Sequence, residues 1–292
     1  MNATPNVVRN ILHPTDFSEA SLNAFHHALK AALMSQSGLA LLHVNEHKSG
    51  EIMDFPGVRE TLERWGLLPK GSSRSAVPQL GIEVKKVVAR HGSPVGAVLH
   101  YLEDHPADLI VLATHQHEGR TSWLRQSVGE PIARNSGQMT LFVPEGIHGF
   151  VSSADGSVRL QNILVPVAET PDPQAAVEAA ARLVTRMGGC PTGVFTLLHI
   201  GKNGDMPKVQ IPEVPGWRWE NVCREGNVIQ GILDFAHATN ADLLVMPTDG
   251  RSNFLEALRG SHTERVLKET PAPLLAIPVG SSAEARLSKT NM

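Results

Sequence analysis

The chain states one plan twice. Asn10-Ile11-Leu12-His13-Pro14 returns 152 residues later as Asn162-Ile163-Leu164-Val165-Pro166. Leu41-Leu42-His43 returns 156 residues later as Leu197-Leu198-His199, and Ala107-Asp108-Leu109-Ile110 returns after 134 as Ala241-Asp242-Leu243-Leu244. Repeats this far apart are whole domains, not turns of a solenoid with a period of roughly 20–50 residues. A chain of 292 residues gives each copy room for its own core. The offset falls from 156 to 134, so the first copy carries 22 residues that the second lacks, between its second strand and Gly92.

Each copy reads as strands alternating with helices, which implies a parallel sheet covered on both faces. In the first copy, Val7–His13 is a short apolar run. Ser18 is placed to cap a helix with Leu22, Phe25, Leu29 and Leu33 at helical spacing, and Gly38 to stop it. Leu39–Val44, Ile82–Val88, Leu109–Ala113 and Thr140–Val143 read as strands, and Pro94 opens a second helix. In the second copy, Ile163–Val167, Val194–Ile200, Leu243–Met246 and Leu274–Ile277 are strands, with Asp172-Pro173 opening a helix. Sheets of this type bind ligands beyond the carboxyl ends of their strands, where strand order reverses. The loops after the first and fourth strands are therefore the places to look.

The expected boundaries are 1–146 for the first domain, with its insertion near 45–90, and 147–160 for a Gly- and Ser-rich linker. The second domain spans 161–280, and a polar tail expected to be disordered spans 281–292. In the insertion, Leu62 and Trp65 at helical spacing suggest a small helix packed on its own domain. Trp217 and Trp219 in the second copy read as packing residues. A net charge of −3 offers no basic field for nucleic acid. No apolar run reaches the ~20 residues that span a bilayer. Cys190 and Cys223 form no CxxC motif, and a cytoplasmic protein with inert thiols is expected.

Ten of the 14 histidines fall between His13 and His117. His13, His43, His115 and His117 sit near the expected switch point and carry the residue types of a zinc site. His43 recurs as His199, however, which points to the shared fold, and no metal centre is expected. His26, His27 and His100 lie on helices and are expected to be solvated. No Walker lysine, GxSxG elbow or Ser-His-Asp spacing is present, so a binding or sensing module is favoured over an enzyme.

One loop is built for an anion. After the second copy's penultimate strand come Met246-Pro247-Thr248-Asp249-Gly250-Arg251-Ser252, then Gly260-Ser261-His262-Thr263 opening a helix. Glycines admit close backbone approach and positive φ. A helix N-terminus offers unpaired N–H groups and partial positive charge. The chain resembles the universal stress protein family in its tandem two-domain form. The likeness rests on Ile11-Leu12-His13-Pro14-Thr15-Asp16-Phe17-Ser18, on the Ala-Asp-Leu segments, and on Gly250-x9-Gly260-Ser261 before Glu264-Arg265-Val266-Leu267. It implies two five-stranded parallel α/β sandwiches of the adenine nucleotide alpha hydrolase-like type. Their last strands would pair as an intramolecular pseudo-dimer, with homodimerisation left open.

Nucleotide-binding members carry an aspartate after the first strand and a Gly-x2-Gly-x9-Gly-Ser/Thr loop. Neither copy is complete. The first keeps Asp16, but its loop reads Ala113-x2-Gln116-x9-Gln126-Ser127, with every glycine lost. The second keeps Gly250, Gly260 and Ser261, has Pro247 at the ribose-side glycine and Ala168 at the aspartate. The resemblance thus implies ATP or a related phosphorylated ligand, with Mg²⁺ where ATP binds, in the second copy. Its contacts would be Pro166, Val167, Thr248, Gly250, Arg251, Ser252, Gly260, Ser261, His262 and Thr263. Two alternatives stand beside it: a scaffold with both pockets vestigial, and a slow ATP hydrolase.

Overall fold

The computed structural model describes residues 8–44, 55–89, 93–114, 129–187, 190–202, 204–249 and 269–279. The first copy contributes β1 (Asn10–Pro14), α1 (Glu19–Ser35), β2 (Gly38–Val44), α2 (Val58–Arg64), a 3-10 turn (Arg74–Leu80), β3 (Glu83–Ala89), α3 (Pro94–Asp104), β4 (Leu109–Thr114), α4 (Gly129–Ser136) and β5 (Met139–Pro144). The second contributes β6 (Asn162–Pro166), α5 (Gln174–Met187), β7 (Gly193–Ile200), β8 (Trp217–Arg224), α6 (Val228–Ala238), β9 (Leu243–Asp249) and β10 (Leu274–Val279).

The ten strands of the described residues form one sheet in the order β3-β2-β1-β4-β5-β10-β9-β6-β7-β8. Read outward from the centre, the two halves have the same order. Their registers match residue for residue: Ile11 faces Leu109 and Asn10 faces Gly38, as Ile163 faces Leu243 and Asn162 faces Val194. The halves join where β5 runs antiparallel to β10, with Phe142 opposite Leu274, Leu141 opposite Leu275 and Thr140 opposite Ala276. Antiparallel pairing of equivalent strands is what a two-fold relation demands. It also removes the two edges that would otherwise be exposed.

The repeated aspartate has a structural task. Asp108 Oδ2 accepts from the Arg9 and Asn10 amides at 2.8 and 3.0 Å, and Asp242 Oδ2 accepts from the Gln161 and Asn162 amides at 2.8 and 2.9 Å. Each carboxylate ties its strand to the start of the first strand, at the end opposite the switch point.

Several expectations need correction. Ser18 does cap α1, its hydroxyl accepting from the Ser21 amide at 3.1 Å, but the helix ends at Gln36 in the left-handed region and Gly38 begins β2. The Gln36 backbone N–H donates to the Ala32 carbonyl there, so the helix stops without the glycine expected. The buried stripe of α1 is Ala20, Ala24, Phe25, Ala28, Leu29 and Ala32, while Leu22 is 42% exposed. Small residues let the helix lie close to the sheet. His26 and His27 are buried, not solvated, because α1 is covered on its outer side too, by α2 and by the segment joining the copies. His100 is exposed. Strand β8 and helix α6 carry no expectation from the sequence. In β8, Trp217 and Trp219 alternate onto one face and pack on Phe195, with ring centroids 4.6 and 4.1 Å away. The insertion does form a helix, α2, which buries Val58, Thr61 and Leu62. Cys190 and Cys223 are free thiols.

Candidate functional site

The strand order reverses between β1 and β4 in the first copy, and between β6 and β9 in the second. The carboxyl ends of these pairs form two equivalent corners.

The corners share a frame. The Thr15 amide donates to the Leu42 carbonyl at 2.8 Å, and the Val167 amide donates to the Leu198 carbonyl at 2.9 Å. His43 Nδ1 donates to the Thr15 carbonyl at 2.8 Å, and His199 Nδ1 donates to the Val167 carbonyl at 3.0 Å. A carbonyl can only accept, so each ring carries its proton on Nδ1. The recurring histidine thus bolts the second strand to the turn after the first.

What stands on that frame differs. In the first copy Asp16 Oδ1 accepts from the Ser18 amide at 3.1 Å and the Ser18 hydroxyl at 2.6 Å. Thr15 Oγ1 accepts from the Phe17 amide and the Ser21 hydroxyl. This network holds Phe17 at φ 63°, in the left-handed region that bulky side chains avoid. The ring is thereby turned onto His43, stacked at 4.2 Å and 20°, and Phe55 meets it edge-on at 5.2 Å. Three aromatic rings thus cluster at the corner. In the second copy the frame carries Ala168, Glu169 and Thr170, all exposed. Thr248 at the end of β9 is buried, and its hydroxyl donates to the Ile277 carbonyl at 3.3 Å.

Of the expected ligand contacts, Pro166, Val167 and Thr248 lie at the second corner. Gly250, Arg251, Ser252, Gly260, Ser261, His262 and Thr263 lie outside the described residues. So do Gln116, Gln126 and Ser127 of the first copy, whose Asp16 and Ala113 sit at the first corner. The aromatic cover was missed in the sequence. Its one signal is that Phe17 aligns with Glu169, an aromatic in one copy where the other has a charge.

Behind the first corner lies a buried column of histidines. His13 Nδ1 donates to the Val111 carbonyl at 2.9 Å, and its Nε2 has no partner. His26 Nε2 accepts from Arg64 Nη2 at 3.0 Å. Burial pulls His13 down to about 4. Burial does the same to His26, helped by the Arg64 and His13 charges, and to His27. All three are therefore neutral at pH 7. Val165 stands where the second copy would have His13. No group of three or more His, Cys, Asp or Glu side chains placed for a metal occurs among the described residues, and His115 and His117 lie outside them. No helix among them is long and apolar enough to cross a membrane.

The universal stress protein family profile matches residues 8–144 and 215–278. A universal stress protein from Archaeoglobus fulgidus DSM 4304 superposes with a TM-score of 0.60 at 17% identity, covering 94% of this chain and 99% of that one. A functionally unknown protein from Pseudomonas aeruginosa PAO1 superposes with a TM-score of 0.58 at 14% identity, covering 97% and 96%. No match was found among proteins of curated function.

Proposed function

Because this chain belongs to the universal stress protein family, we propose that it is a nucleotide-binding module of the stress response whose second copy takes ATP or a related phosphorylated ligand. The observation that carries this reading is the contrast between the corners. At the first, Phe17 stacks on His43 and meets Phe55 edge-on, whereas Ala168, Glu169 and Thr170 of the second are exposed. The sequence of the loop after β9 supports the same choice, since Gly250, Gly260 and Ser261 are residues that let backbone amides approach a phosphate.

The second corner has Ala168 where nucleotide-binding members carry aspartate. Loss of a charge-assisted hydrogen bond costs about 1.5–3 kcal/mol, roughly one to two decades in affinity. Binding is accordingly weak, and selection among bases is relaxed. With ATP, Mg²⁺ would accompany the phosphates.

Calorimetry on the full chain with Mg-ATP tests this. Saturable uptake by the wild type and none by Gly260→Gln, which copies the first copy's Gln126, is the expected result. No uptake by the wild type at millimolar ATP would favour a scaffold with both pockets vestigial.

A further inference from the structure

The segment between the copies does not behave as a tether. Residues 150–160 fold into a tight hairpin, with Val151 bridged antiparallel to Val158 and Phe150, Val151 and Leu160 buried. The Ser152 amide donates to the Ser157 carbonyl, and the Arg159 amide donates to the Phe150 carbonyl. We propose that the first copy's insertion is a docking platform for this hairpin, and that hairpin and platform together form a latch that fixes the two copies to one another.

Contacts on the first copy come from α1 and α2. Asn23 Nδ2 donates to the Ile147 carbonyl at 2.6 Å. His27 Nε2 accepts from the Phe150 and Val151 amides at 3.2 and 3.3 Å, and the Phe150 ring stands edge-on to His27 at 4.7 Å. Trp65, just past α2, donates its indole N–H to the Ser153 carbonyl at 3.2 Å. Gly156, at φ 68°, lies so close that an added Cβ would come within 2.5 Å of the Trp65 ring. The other leg is held by the second copy. The Leu160 amide donates to Cys190 Sγ at 3.1 Å, and Cys190 Sγ donates to the Val158 carbonyl at 3.3 Å. Trp65 is supplied by the insertion, which explains why only one copy has it: a chain with one inter-copy segment needs one platform.

His27 gives the latch a chemical signature. Its Nδ1 donates to the Asn23 carbonyl at 2.9 Å, so Nε2 is a pure acceptor. Protonation would place an N–H against two amide donors. Burial disfavours the charged ring, which titrates at about 4, and neighbouring His26 of α1, itself accepting from Arg64 of α2, pushes the same way. Lys30 of α1 faces Asp155 of the hairpin.

Limited proteolysis of the full chain separates docking from backbone strain. Gly156→Ala and Gly146→Ala both place a side chain at positive φ, but a Cβ at Gly146 meets nothing within 4 Å. Gly156→Ala should be cut within residues 150–158 at least about tenfold faster than wild type, and Gly146→Ala within about threefold of it. Equal rates for the two variants, or a wild-type hairpin cut as fast as a free peptide, would overturn the proposal. Amide exchange at Phe150 and Val151, corrected for intrinsic rate, gives the second readout. Protection at pH 7 should fall at least about tenfold by pH 4 in the wild type and hold in His27→Gln, which keeps an acceptor that cannot charge. Protection unaffected by pH in the wild type would contradict the role given to His27.

Discussion

The corner at the end of β1 and the corner at the end of β6 are the same piece of backbone with different furniture. Both are held by an amide-to-carbonyl bond between the first two strands and by a histidine that donates to the turn. Over one, Phe17 is wound into the left-handed region so that its ring lies on His43. Over the other stand three short or charged residues exposed to water. A duplicated fold can therefore keep its frame twice and its accessible corner once. At the first corner Asp16 has structural work, since it accepts from the Ser18 amide and hydroxyl.

The sharpest way to separate the copies is acid. His13, His26 and His27 belong to the first copy, are buried, and titrate at about 4 in the fold against an ordinary value of 6.5. Between those values the unfolded chain binds the extra protons. Stability is therefore full above about pH 6.5, falls as the pH drops toward 4, and levels off below. His13 and His27, which are fully enclosed, each account for roughly 3 kcal/mol of that loss, and His26 for less. His13→Val, which copies Val165, should lower the acid slope of urea-unfolding stability by one proton. An unchanged slope would remove His13 from the account.

The shared frame should respond equally in both halves. Asp108→Ala and Asp242→Ala each strip two backbone amides of their acceptor. Each should cost about 1–2 kcal/mol, with the two values agreeing within about 0.5 kcal/mol. A large disparity in urea midpoints would mean that the halves are not held alike. The smallest effect is expected at Phe17→Gly. Relief of positive φ offsets the lost ring stacking, each worth on the order of 1 kcal/mol, so stability should stay within about 1 kcal/mol of wild type while the first corner opens.

The repeat made most of this fold legible. Its offsets located the insertion, three recurring strands and the switch points, because buried parallel strands read as short apolar runs. The α1 histidines were misread because helical spacing alone does not reveal that a helix is covered on two sides. His26 and His27 look solvated until α2 and the 150–160 hairpin are placed outside them. Strand β8 escaped because the alternation of Trp217, Arg218, Trp219 and Glu220 is short and Asn221 breaks it. The covered corner was the hardest to foresee. It depends on one residue, Phe17, adopting a backbone conformation that its side chain disfavours, and on Phe55 arriving from 38 positions away.

The asymmetry of the two corners is tested most directly by following backbone amide shifts of the full chain as Mg-ATP is added. Saturable shifts should appear at Val167–Thr170 and Thr248, with Asp16–Ser18 unmoved. Saturation at Asp16–Ser18 while the β6 corner stays silent would contradict the account.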